Sequence, residues 1–291
     1  MNQPHTPRWG SYLAIVGAVV VWGTWPLWLR ASALESRAQA FWTLAFIGAM
    51  GAGALALPSV RRVGPSRRDW AYLGLMGVCA GVNQATYFAS LQLTSVARAA
   101  LAHYLAPVLV ASLAPWFLGE RFERRVPLAM AGAVGGLVLV LSESPGSATT
   151  NDPLGVGLAL VSAVFYAALL LCAKRIHTPF SPILLVAFHC GIGALVTLPY
   201  LLLADVTIAA PGGELAWMAL AALAAGLAPA TLFYRGLARV PAQHAAVLTY
   251  LEPVTSALLA WLFFGEGLGW RGAVGGALVL CAGVLVVARR A

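Results

Sequence analysis

Charge is what this sequence has least of. Lys, Arg, Asp and Glu make up 10% of its 291 residues, against about a quarter in an ordinary soluble domain, which excludes a soluble globule. Acids are the scarcer sign, 10 Asp and Glu against 18 Lys and Arg. Cysteine is scarce too. Cys79, Cys172, Cys190 and Cys281 all lie in apolar stretches, with no C-x-x-C pair and no His cluster at ligand spacing, so they read as free packing residues and leave no metal site or cofactor to expect. The sequence has no G-x-x-x-x-G-K-[ST], H-E-x-x-H or G-x-S-x-G motif and no intramembrane carboxylate pair. It therefore does not use ATP itself, and a membrane-embedded enzyme acting on lipid is disfavoured. Long polar connections are lacking as well, leaving no room for a soluble catalytic or ligand-binding domain.

Apolar residues are abundant, at 60% of the chain with a mean hydropathy of +0.83. A bilayer core about 30 Å thick needs about 20 apolar residues per helix, and the charged and Pro/Gly breaks divide the chain into ten such stretches. They fall at Ser11–Leu29, Gln39–Leu57, Asp69–Leu93, Ala97–Leu118, Val126–Ser142, Pro153–Ala173, Phe180–Leu203, Leu215–Ala238, Pro241–Phe264 and Arg271–Ala288. The first, bulky with Trp22, Trp25 and Trp28, reads as a spanning helix and not as a cleavable leader. With the N-terminus inside, 14 basic residues fall on inner segments and only Arg30, Arg37, Arg98 and Arg271 outside. The positive-inside rule then places both termini in the cytoplasm. The net charge of +8 reports this orientation, with no nucleic-acid footprint.

The chain also repeats itself. Tyr87 to Glu120 pairs with Phe233 to Glu266 at an offset of 146, with identity at 13 of 34 positions, several times what chance gives in an Ala/Leu-rich stretch. Five helices per copy is an odd number, so the second copy must be inverted relative to the first. The expected fold is thus an all-α membrane protein of two inverted five-helix repeats, residues 11–142 and 153–288, joined by an outside linker at 143–152. Two GAVGG runs, Gly132–Gly136 and Gly272–Gly276, are offset by 140. They are not repeat-related, and mark close-packed faces within a monomer or at a homodimer interface.

An acid deep in a membrane costs about 2.5–3.5 kcal/mol on insertion scales, which singles out Glu252 in the ninth stretch. Thr249 at i−3 and Ser256 at i+4 share its face, and Pro253 withholds the N–H that the Thr249 carbonyl would accept. A kink with a freed carbonyl beside a carboxyl group suits proton coupling or the holding of a substrate amine. The bland alternative is a neutral Glu252 bonding to a neighbouring helix. The first copy has the same kink at Pro107 but Ala106 in place of the acid, so the site is asymmetric. His103, in that kink, is a second coupling candidate or else a packing residue. Tyr104 and Tyr250 are repeat-related and should face each other. Asn83, Tyr87 and Ser90 form a polar stripe on the third stretch, echoed by Thr231 and Tyr234. Trp22 and Trp25 share a face of the first stretch, with Tyr166 roughly equivalent on the sixth. Trp22, Trp25, Asn83, Tyr87, His103, Tyr104, Tyr166, Tyr234, Thr249, Tyr250, Glu252 and Ser256 are thus the candidate cavity residues. Arg98 and His244 hold equivalent positions at helix starts. Glu120 and Glu266, each after a helix-ending glycine, read as structural hinges.

Trp22-Gly23, the run from Leu105-Ala106-Pro107 to Leu118-Gly119-Glu120, and the run from Leu251-Glu252-Pro253 to Gly265-Glu266 together resemble the drug/metabolite transporter superfamily in its ten-helix form with two EamA-like domains. The resemblance covers nearly the whole chain. It implies a multi-pass carrier of the bacterial inner membrane that exports a small metabolite such as an amino acid by alternating access. A Tyr/Trp-rich cavity would suit an aromatic amino acid. The alternatives are a uniporter or exchanger without proton coupling and a lipid-linked sugar translocator.

Overall fold

The computed structural model describes residues 9–56, 65–142, 152–176, 180–265 and 269–288. Most of the linker (143–151), Glu266, and the inner-segment residues Arg8, Arg61, Arg62, Arg289 and Arg290 lie outside the described residues. Within them the secondary structure is entirely helical: α1 (Trp9–Trp22), α2 (Trp25–Arg30), α3 (Ser36–Gly53), α4 (Arg67–Ser90), α5 (Val96–His103), α6 (Ala106–Leu118), α7 (Arg125–Leu141), α8 (Asp152–Arg175), α9 (Pro182–Leu203), α10 (Gly212–Ala221), α11 (Ala228–Leu237), α12 (Ala242–Leu248), α13 (Leu251–Phe264) and α14 (Trp270–Val287). Several adjoin as successive parts of longer runs. Among the described residues seven runs are long and apolar enough to cross a membrane: α1 with α2, α5 with α6, α8, α9, α10 through α11, α12 with α13, and α14. The chain is a multi-pass membrane protein.

Two of the expected continuous helices are interrupted. The first breaks at Gly23-Thr24, where Pro26 leaves the preceding turn without a donor and the Thr24 N–H falls back to the Val21 carbonyl at 3.0 Å. The eighth widens into a π turn at Ala222–Leu227, immediately before Pro229, with the Ala228 N–H reaching the Leu223 carbonyl.

Without a hydrophobic drive between helices in lipid, association rests on close backbone approach. The extreme case is α7 against α14. A Cβ on Gly136 would sit 2.5 Å from the Gly275 carbonyl oxygen, and one on Gly275 would sit 2.5 Å from that of Gly136. The two GAVGG runs therefore face each other inside one chain. Gly48 of α3 meets Gly191 of α9 in the same way, with a built Cβ 2.7 Å from the Gly191 Cα.

Polar contacts gather at the two ends of the bundle. At one end, where α1 begins and α6, α8, α11 and α14 finish, lie Glu120, Glu123, Arg125, Lys174 and His244. At the other lie the Arg37–Glu35 and Arg98–Asp152 ion pairs and the Ser32 hydroxyl, which donates to Glu214 at 2.7 Å. Between them the interior is mostly apolar, with scattered buried polar side chains such as Thr43, His189 and Thr197 and the group of residues described next.

Candidate functional site

The repeat brings two helix breaks together in the middle of the bundle. The α5–α6 break falls at Tyr104-Leu105 and the α12–α13 break at Thr249-Tyr250, each just ahead of its proline, Pro107 or Pro253. Both copies then end alike, on a left-handed glycine: Gly119 at φ 69° and Gly265 at φ 67°. The Tyr104 and Tyr250 rings lie 6.0 Å apart, and the Tyr250 hydroxyl donates to the Tyr104 carbonyl at 2.6 Å. Tyr250 thus ties one break to the other. It is fully buried, so it braces the site from behind and does not line it.

Glu252 sits in the first turn of α13, where the helix dipole favours a negative charge. Its carboxyl group lies beside the Tyr104 hydroxyl, with Tyr87 and Tyr166 next around it. No Lys, Arg or His is within ion-pair distance of it among the described residues. The Thr249 carbonyl beside it is not free as expected: the break turns the Glu252 N–H onto it at 3.1 Å. Thr249 itself is buried, its hydroxyl spent on the Ala246 carbonyl at 2.7 Å. The stripe from Thr249 through Glu252 to Ser256 is therefore split, because the break changes the helical phase between its first two members.

Aromatic rings continue the wall around the acid. His103 packs 4.5 Å from Tyr87, 5.3 Å from Tyr166 and 5.9 Å from Tyr104, centroid to centroid. Its Nδ1 is 2.8 Å from the Ser162 Oγ. The Ser162 hydroxyl donates to the Ala159 carbonyl at 2.7 Å, which makes Nδ1 the donor in the pair and, in the neutral ring, leaves Nε2 an acceptor. Ser162 is a site residue missed in the sequence, although its spacing from Tyr166, one turn apart on α8, is the signal that could have found it. On the opposite side, Gly23 at the break of the first run presses onto α13. A Cβ there would meet the Thr255 Cβ at 2.5 Å and the Glu252 carbonyl at 3.0 Å, and the Ser256 hydroxyl donates to the Gly23 carbonyl at 3.0 Å. A glycine at position 23 is required by this approach.

Of the twelve candidate cavity residues, Trp22, Trp25, Tyr87, His103, Tyr104, Tyr166, Glu252 and Ser256 keep partial exposure, whereas Asn83, Tyr234, Thr249 and Tyr250 are buried. Asn83 is turned to α8, its amide donating to the Ser162 carbonyl at 3.0 Å. Tyr234 packs 5.7 Å from His189 of α9. Trp22 packs on Phe233 in a tilted contact at 5.0 Å between centroids, and the break separates it from Trp25, whose ring lies 3.8 Å from the place of a Cβ on Gly226.

The polar end described above is organised by Glu120. Both its carboxylate oxygens accept the Ala242 N–H at 2.9 Å, capping α12 of the other repeat. The Lys174 ammonium donates to the Leu237 and Val240 carbonyls at 2.5 and 2.6 Å and lies 3.7 Å from Glu120. The Gln243 amide donates to the Arg121 carbonyl at 2.9 Å. His244 is held between Tyr12, whose hydroxyl is 2.6 Å from Nδ1, and Glu123, at ion-pair distance of 2.9 Å from Nε2 but without hydrogen-bond alignment. Partial desolvation acts upward on the Glu123 carboxyl, yet His244 and Arg125 hold it below the usual carboxylate range.

A paired break in two like-sequence halves, with an acid between them, is the arrangement of a carrier, and known proteins agree. The model of the EamA-like transporter family matches residues 9–142 and again 153–288. The chain belongs to the EamA-like transporter family, part of the drug/metabolite transporter superfamily. An uncharacterized transporter of Archaeoglobus fulgidus is 33% identical over 284 residues, 97% of each chain. The uncharacterized transporter YwfM of Bacillus subtilis is 30% identical over 94% of this chain and 92% of its own. The pseudopaline exporter CntI of Pseudomonas aeruginosa is 27% identical over 76% of this chain and 74% of its own. A solved crystal structure superposes with a TM-score of 0.81 over 95% of this chain and 98% of the other; at 21% identity it shows the fold alone.

Proposed function

We propose that this protein is a secondary transporter that exports a small metabolite across a bacterial inner membrane by alternating access. The substrate is held between two inverted five-helix repeats, residues 11–142 and 153–288, and both termini are cytoplasmic. The observation that supports this best is an inequality between repeat-related segments. Residues 242–250 are all buried, whereas in residues 96–104 Val96 is 67% exposed and the Arg98 side chain 54% exposed. Inverted repeats in unlike surroundings are what one access state of such a carrier presents, since exchanging the two environments opens the other side. With the basic inner segments in the cytoplasm, the Glu120–Lys174–His244 end is the closed cytoplasmic side, and the site opens outward beside α5.

Glu252 is the group we assign to proton coupling, with His103 as its neighbour. The likeness to a named exporter supports the outward direction. The experiment is uptake of a pool of labelled amino acids and related small metabolites into proteoliposomes, with and without a pH gradient, by the native chain and by Glu252→Gln. Selective, gradient-driven flux that the variant loses is the expected outcome. Flux that ignores the gradient and survives the substitution would make the protein a uniporter or exchanger and Glu252 a packing residue.

A further inference from the structure

We infer that the central site selects a small organic cation, an ammonium group on an apolar body, and discriminates against a carboxylate on the same body. The inference rests on the transporter reading above and narrows its substrate class. The site's only formal charge among the described residues is Glu252, which no basic side chain meets. All the described Lys and Arg residues lie at helix ends or in the connections. His103, which packs on the same three tyrosines, gives its Nδ1 hydrogen to Ser162, so its neutral ring presents an acceptor to the site.

What surrounds the carboxylate points the same way. Tyr87, Tyr104 and Tyr166 with His103 form three ring-on-ring contacts of 4.5 to 5.9 Å, and all four stay partly exposed. Aromatic faces carry negative charge above the ring and attract a desolvated cation placed over them. An acid backed by aromatic faces therefore offers an ammonium group both an opposite charge and a favourable wall. A ligand carboxylate would meet the same wall with no donor stronger than a tyrosine hydroxyl, and with Glu252 repelling it. A zwitterion gains at its amine and loses at its acid. The cation's own positive charge also supplies the counter-ion that Glu252 lacks within the protein.

Binding to the purified native protein at neutral pH, followed by isothermal titration, tests this with four probes of one shape: phenethylamine, phenylalanine, phenylacetate and 2-phenylethanol. Phenethylamine should bind tightest, phenylalanine more weakly and phenylacetate not measurably. Glu252→Gln should cost phenethylamine about ten- to a hundredfold in affinity, the range of one charge-assisted hydrogen bond, and cost 2-phenylethanol, which can still donate to the glutamine oxygen, severalfold less. That neutral probe, with the melting temperature, shows that the variant is folded. Phenylacetate or phenylalanine binding as tightly as phenethylamine overturns the inference. So does absent phenethylamine binding to the native chain, or an amine affinity indifferent to the substitution. Should phenethylamine bind as described but fail to cross proteoliposome membranes, the transport reading falls while the charge assignment stands.

Discussion

Replacing Glu120 by Ala should unlock the end of the bundle that we propose is the closed cytoplasmic side. Glu120 receives the Ala242 N–H on both oxygens at 2.9 Å and faces the Lys174 ammonium at 3.7 Å. Ala242 is 1% exposed, so its N–H has no water to turn to. A buried donor left unsatisfied costs about 1–3 kcal/mol. Lys174 keeps the Leu237 and Val240 carbonyls but loses the Glu120 carboxylate, which adds about 1 kcal/mol. In the proposed cycle the total of about 2–4 kcal/mol falls on the closed state of this end, because its opening would already part α12 from Glu120. A bias of that size shifts the ratio of the two access states by roughly thirtyfold or more. The assay is labelling from the cytoplasmic side with a membrane-impermeant maleimide, using Ala245→Cys, now 2% exposed, in a chain freed of its four native cysteines. Labelling should rise steeply with Glu120→Ala and less with Glu120→Gln, which keeps an acceptor for the N–H. Unchanged labelling in a protein with an unchanged melting temperature would refute the reasoning, and a lowered melting temperature with flat labelling would make Glu120 a support of the fold alone.

The same end should respond to acid. Glu123 is held below the usual carboxylate range by His244 and Arg125 against its own desolvation, so its contribution is complete above the ordinary carboxylate range and is lost as pH falls through its lowered value. Cytoplasmic labelling at Ala245→Cys should therefore rise on the acid side, and Glu123→Gln should flatten that rise. Gly23→Ala would place a methyl group 2.5 Å from the Thr255 Cβ; we expect a loss of about 1–3 kcal/mol and a sharp fall in transport, read by thermal melting and proteoliposome flux. Gly275→Ala forces a methyl group onto the Gly136 carbonyl and should lower the melting temperature of a monomeric preparation without changing its oligomeric state, as seen by light scattering. Tyr250→Phe removes the bond to the Tyr104 carbonyl and should cost about 1 kcal/mol, with a larger effect on flux than on stability.

How much of this could be read from the sequence differs from residue to residue. The 146-residue offset that pairs Tyr104 with Tyr250 and Gly119 with Gly265 emerges in space as a ring contact and as two matching left-handed glycines, because identity at such positions records a shared backbone. The acid at Glu252 was legible because its cost in lipid makes it conspicuous. Interruptions were harder to read. Pro26 and Pro229 announce that a donor is missing but not how the turn will adjust, and the chain uses an open break at Gly23-Thr24 in one case and a π turn in the other. The helical phase carried from Thr249 to Ser256 failed for the same reason, since a break resets the angle at which later side chains leave the axis. Long-range partners left no local trace: Glu120 looked like a hinge, and only its place opposite Ala242 gives it a ligand.

Of the two breaks at the centre, only the second has an acid; the first has Ala106. On the alternating-access reading proposed above, a cargo moored to Glu252 would stay with the second repeat through the whole cycle while the first repeat moved past it. The frame is symmetric, but the labour within it is divided: one half is the berth and the other the door.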